Sequence, residues 1–167
     1  AILAGTTDAV VKNSTFTQSP YLSGIKSLKN GTITSNTLDG LDTGIYACNN
    51  STVSNNTITG MTSRALTLLQ AFDTCQFAGY PQSTLTLTVT GNTIMDNSVT
   101  GLYPENAVSI GQSGTDNTII FDQNIVIRNT FGLDVSANDV TGTITITDNT
   151  IADNSTDEIY TPSGLRL

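Results

Sequence analysis

Fourteen Asp and Glu side chains, six Lys and Arg, two cysteines and no histidine are what this 167-residue chain brings to chemistry. Without histidine, proton transfer near neutral pH falls to carboxylates whose surroundings set their pKa values apart. One carboxylate pair, Asp134 and Glu158, is the catalytic candidate. Tyr46 and Tyr160 offer aromatic faces on which a sugar ring can stack, so they are the carbohydrate-binding candidates. Asp139, Asp148, Asp153, Asp157 and Glu158 make the last part of the chain acidic, and calcium favours convergent carboxylate oxygens. No EF-hand or Asp-repeat loop accompanies them. They read as solvated surface charge, with no metal or cofactor assigned and calcium as the alternative.

Cys48 and Cys75 have neither histidine nor a C-x-x-C pattern beside them, which excludes a zinc site or thiol redox motif. A Cys48–Cys75 disulfide is expected, two free thiols being the alternative. N-x-S/T sequons at Asn13, Asn30, Asn49, Asn50, Asn55 and Asn154 add slight support for an extracellular setting. The net charge of −8 argues against nucleic acid and anionic membrane surfaces, both of which need a concentrated basic face. No apolar run approaches the roughly 20 residues of a membrane span. Charged residues are only 12% of the chain, and polarity carried by Thr, Ser, Asn and Gly suits strands and turns.

A repeat positions these side chains. Its first fixed point is a short apolar strand found seven times, at Ile2, Ile25, Ile45, Leu66, Val108, Leu133 and Ile159. Its second is an apolar residue three positions before an Asn, found six times: Val10/Asn13, Ile33/Asn36, Val53/Asn56, Val89/Asn92, Phe121/Asn124 and Ile146/Asn149. Its third is an apolar residue just beyond that Asn, at Phe16, Leu38, Ile58, Ile94, Val126 and Ile151. Three short strands per turn follow. One unit has too little apolar surface to fold alone, but equivalent strands stacked about 4.8 Å apart bury a continuous core.

The recurrent Asn is expected at the bend, because Asn tolerates a left-handed backbone at least cost after Gly. Stacked Asn side chains can also bond from rung to rung, so Asn13, Asn36, Asn56, Asn92, Asn124 and Asn149 are assigned to one structural ladder. Parallel crossovers are strongly right-handed. The expected fold is therefore all-β: a right-handed parallel β-helix of about six rungs, as one domain over 1–167.

The strings Thr32-Ile33-Thr34-Ser35-Asn36-Thr37-Leu38, Thr52-Val53-Ser54-Asn55-Asn56-Thr57-Ile58, Thr88-Val89-Thr90-Gly91-Asn92-Thr93-Ile94 and Thr145-Ile146-Thr147-Asp148-Asn149-Thr150-Ile151 carry a resemblance. They resemble the right-handed β-helix repeats of the pectate lyase-like superfamily, over nearly the whole chain. That resemblance implies an extracellular role, either carbohydrate-related or surface-structural. Lyases, glycosidases, epimerases, tailspikes and adhesins share the fold, so function rests on the site.

In the enzymes of that superfamily the active site commonly follows one outward strand column, with acids, calcium and a basic residue. The outward first-strand column here runs Leu3, Lys26, Tyr46, Thr67, Ser109, Asp134 and Tyr160. Lys26 and Asp134 stand four rungs apart, about 19 Å, too far to serve one bond. Asp134 and Glu158, on adjacent rungs and offset by two residues, come to about 8 Å, inside the roughly 6.5–9.5 Å window of inverting glycosidases. Solvated charge is the ordinary reading of two such surface acids.

Insertions decorate the stack. A loop at about 69–83 contains Cys75, and smaller expansions fall at 100–106, 111–117 and 136–142. A first-type strand stands near either end of the sequence with no cap beside it, which leads to an expectation of copies pairing end to end as a filament. The reading is an extracellular or cell-surface β-helix module, non-enzymatic, with a structural, adhesive or self-assembling role. Its partners are other copies or glycans, with neither nucleic acid nor membrane insertion. The alternative is a polysaccharide lyase or glycoside hydrolase, or a carbohydrate-binding fragment of one.

Overall fold

In the computed structural model, residues 2–70, 86–98, 107–112, 118–137, 142–155 and 159–160 are described. Their strands stack in three parallel columns. The first-strand column runs through β1 (Ile2–Thr7), the later parts of β3 (Thr15–Lys29) and β5 (Thr37–Cys48), then β8 (Leu66–Gln70), β11 (Val108–Gln112), β14 (Leu133–Ala137) and β17 (Ile159–Tyr160). The second holds β2 (Val10–Lys12), β4 (Thr32–Thr34), β6 (Thr52–Ser54), β9 (Thr86–Thr90), β12 (Thr118–Asp122) and β15 (Thr143–Thr147). The third begins with the early parts of β3 and β5 and continues as β7 (Thr57–Thr59), β10 (Thr93–Met95), β13 (Ile125–Ile127) and β16 (Thr150–Ala152).

Register follows the apolar repeat. Ile2, Ile25, Ile45, Leu66, Val108, Leu133 and Ile159 pair in succession, as do Phe16, Leu38, Ile58, Ile94, Val126 and Ile151. In the second column the buried row is Val11, Ile33, Val53, Val89 and Phe121, continued by half-buried Ile146. Period-two alternation explains it: Thr or Ser flanks Ile33, Val53, Val89 and Ile146 on both sides and faces away from the interior, while the apolar row enters one core. Each buried Ile, Leu or Val contributes about 1.5–3 kcal/mol.

Rung one departs from the expected spacing. Val11, not Val10, takes the inward position, and Val10 is 63% exposed. A bulge is the cause: Ala4 pairs with Ser27 and Thr7 with Lys29, so the first strand spends one extra residue before the bend. Everything downstream in that rung shifts by one until the third strand. The ladder partner of Asn36 is therefore Ser14, whose backbone N–H donates to Asn36 Oδ1 at 3.1 Å, and the assignment of Asn13 to the ladder is corrected.

The ladder itself runs Asn36, Asn56, Asn92, Asn124 and Asn149. Each Nδ2 donates to the next Oδ1 at 2.9–3.1 Å, and each oxygen also accepts the preceding Asn's backbone N–H. The amides bond to backbone carbonyls of the neighbouring rung as well, Asn56 to Ile33 and Asn92 to Val53. These Asn residues are not the left-handed ones. Positive φ belongs to the residue immediately before each of them: Ser35, Asn55, Gly91, Gln123 and Asp148, with Asn13 in the corresponding place in rung one. Asn is needed at the ladder for its amide, which both donates and accepts.

A second ladder lies at the bend after the third strand. Asn97 bonds Asn129 and Asn129 bonds Asn154 by the same pair of contacts, and Met61 N–H donates to Asn97 Oδ1 at 2.9 Å. Left-handed Gly60, Asp96, Arg128 and Asp153 precede them. The expected loop at 69–83 and the smaller expansions fall largely outside the described residues.

Candidate ligand-binding cleft

Three consecutive rungs build the best-formed hollow among the described residues. Ser23, Gly24, Ile25 and Lys26 come from β3, Thr43, Gly44 and Tyr46 from β5, and Ser63, Arg64 and Thr67 from the bend before β8 and from β8 itself. The volume is about 370 Å³, at the small end of ligand sites. Gly24 and Gly44 let the rungs approach: a Cβ on Gly24 would lie 2.6 Å from the Gly44 carbonyl oxygen. Cross-strand register then sets Lys26, Tyr46 and Thr67 side by side.

The electrostatics differ from those of the whole chain. Lys26 Nζ sits 4.8 Å from the centre of the Tyr46 ring, a cation–π contact, and Arg64 lines the same hollow. No carboxylate is among the described lining residues, and Arg64 is already engaged by another group of the protein. Asp42, next in sequence to Thr43, accepts from the Thr43 hydroxyl at 3.3 Å and from the Thr62 hydroxyl at 3.4 Å. Burial pushes the Tyr46 hydroxyl above the ordinary tyrosine range, with the charge of Arg64 pulling partly back. It stays a neutral donor at physiological pH. Among the described residues neither the Tyr46 hydroxyl nor Thr67 Oγ1 has a hydrogen-bond partner, although both atoms are buried.

A smaller hollow of about 160 Å³ adjoins this one through Ser23 and Gly24, and its walls include Phe16, Leu22 and Leu41. Leu22 is 46% exposed and the neighbouring Tyr21 is 92% exposed.

Other candidates fall elsewhere. The backbone of Tyr160 pairs with Asp134, which itself stands four rungs along the column from Lys26 and three from Tyr46. Glu158 lies outside the described residues. Asp139 and Asp157 do too, while Asp148 and Asp153 occupy left-handed positions at two different bends. Cys48 is fully buried at the end of β5 and does not carry a free thiol; Cys75 lies outside the described residues. The sequon at Asn154 has its acceptor buried in the second ladder.

Arg64 and Thr67 escape a reading confined to acids and isolated tyrosines, since neither belongs to a motif. Their signal was positional: Thr67 stands next to Tyr46 in the outward column, and Arg64 is one of only six cations. The second ladder had a plainer signal, because Ile94/Asn97, Val126/Asn129 and Ile151/Asn154 repeat the apolar-x-x-Asn spacing of the first. Comparison with curated proteins and with solved structures finds no match. A family model described as right handed beta helix region matches residues 1–164, and with the stacked parallel columns above it shows that this chain belongs to the right-handed β-helix family.

Proposed function

We propose that the chain is a non-enzymatic β-helix module of the cell exterior with an adhesive role, holding a saccharide in the cleft between Lys26 and Thr67. The observation that carries this reading is the lining itself. Two cations, an aromatic ring and several hydroxyls surround a hollow of ligand size, whereas acid and base catalysis of sugar chemistry needs paired carboxylates. A composition whose polarity comes mainly from Thr, Ser and Asn supports the exterior setting, as does a Cys48–Cys75 disulfide, which is proposed with it.

The check is a glycan array run beside an assay for new reducing or unsaturated ends. Binding of a glycan by the intact chain with no new ends is the expected result. Release of such ends, lost in Asp134→Asn, would replace the adhesive role with a polysaccharide lyase or glycoside hydrolase.

A further inference from the structure

Each rung has one corner that does not border the first-strand column, the bend between its second and third strands. The left-handed residues there form a column of their own: Asn13, Ser35, Asn55, Gly91, Gln123 and Asp148. Asn adopts this backbone at small cost. Two residues further on, the third strand opens on Thr in every rung except the one with Ile125. An Asn at this corner therefore completes an N-x-T sequon, as in Asn13-Ser14-Thr15 and Asn55-Asn56-Thr57. The repeat explains how such sequons arise, and the surroundings of each Asn decide whether it has room for a glycan.

The surroundings divide the six sequons. Asn154 is buried, and its Oδ1 accepts from Asn129 in the second ladder. Asn30 Nδ2 donates to Asp8 and Asn50 Nδ2 to Asn30, each at 2.9 Å, so both amide nitrogens at that corner are committed. Asn49 is half-buried and engaged by another group of the protein. Asn13 and Asn55 differ, being exposed at φ of 52° and 55°. Their backbone N–H groups donate to the Thr34 and Thr90 carbonyls, whereas neither side chain makes a hydrogen bond among the described residues. Asn55 stands between Ser35 and Gly91 in the corner column, and a Cβ on Gly91 would lie 2.6 Å from its Oδ1. Asn13 and Asn55 are two rungs apart, about 10 Å at the strand spacing. We infer that Asn13 and Asn55 carry N-linked glycans and that the other four sequons stay bare in the folded protein. The donor is a lipid-linked oligosaccharyl diphosphate: Nδ2 bonds to the anomeric carbon and gives up one proton, while the lipid diphosphate leaves with the electron pair of the broken C–O bond. The inference rests on the cell-exterior setting proposed above. It leaves the cleft uncovered, because this corner does not border the first-strand column.

Site-resolved mass spectrometry tests it on the full chain secreted by a eukaryotic host, after a glycosidase that converts each occupied Asn to Asp. Asn13 and Asn55 are read as Asp in most molecules, and Asn30, Asn49, Asn50 and Asn154 as Asn. Thr15→Ala and Thr57→Ala each remove the mass of one glycan while leaving the Asn itself in place. Secreted protein with either Asn13 or Asn55 bare in most molecules, or with a glycan at Asn30 or Asn154, overturns the inference and leaves the exterior setting standing. Fractionation of the source cells separates the two readings: recovery of the chain from the cytosol alone overturns both. The wild-type digest decides the matter even where a variant fails to fold.

Discussion

At each bend two adjacent residues divide the work: the first turns the chain with a positive φ, and the second, usually Asn, ties that turn to the next rung. Gln123, with φ of 54°, and Asn124 are such a pair. A non-glycine residue in that conformation costs about 1–2 kcal/mol. Gln123→Gly is therefore expected to raise stability by about 0.5–1 kcal/mol after the extra chain entropy of glycine is counted. Asn124→Gly removes buried bonds and lowers stability by about 2–3 kcal/mol. Chemical denaturation of the two variants reads both signs, and equal effects would mean that the turn and the ladder are not separate positions. The ladder was legible from the apolar-x-x-Asn spacing. Which residue turns left-handed was not, because Ser35, Asn55, Gly91, Gln123 and Asp148 share no side-chain chemistry: that site is defined by backbone geometry alone.

Among the elements, the three-strand rung was readable wherever the spacing is regular, as from Ile45 through Val53 to Ile58, because burial demands the same row in every rung. It misled in rung one. Val10 and Asn13 satisfy the pattern by sequence, and only the bulge after Ala4 moves Val11 and Ser14 into their places. A bulge leaves no mark in a composition of Gly and Thr. The second ladder gives the elements their most direct test. Asn129 accepts from the backbone and side chain of Asn97 and donates to the Ile94 carbonyl at 3.2 Å. Asn129→Ala strands two or more buried groups at about 1–3 kcal/mol each, so a loss of about 2–4 kcal/mol is expected. A loss under about 0.5 kcal/mol, the size of an ordinary surface substitution, would show that this ladder contributes little.

For the whole molecule, stacking has two consequences. Each rung touches only its neighbours, so stability accumulates rung by rung and a covalent clip at one place steadies the rungs around it. Cys48 is buried beside that part of the stack. A Cys48–Cys75 disulfide is expected in unreduced peptide mass spectra, and Cys48→Ser should lower the melting temperature; two thiols that alkylate freely in the oxidised protein would reject the bond. The second consequence is that the cleft residues, far apart in sequence, become neighbours only through register. Lys26, Tyr46 and Thr67 belong to three rungs, and no short motif contains them. Fold was legible because it repeats, while the cleft was not because it occurs once.

The central claim, that this cleft is where the chain meets a saccharide, is tested most directly by an NMR titration of the isotope-labelled protein with the tightest-binding glycan. The account predicts amide shifts concentrated at 23–26, 43–46 and 63–67, with smaller ones around Tyr21 and Leu22. Shifts centred instead on Asp134 and Tyr160, with the three cleft segments unmoved, would contradict it.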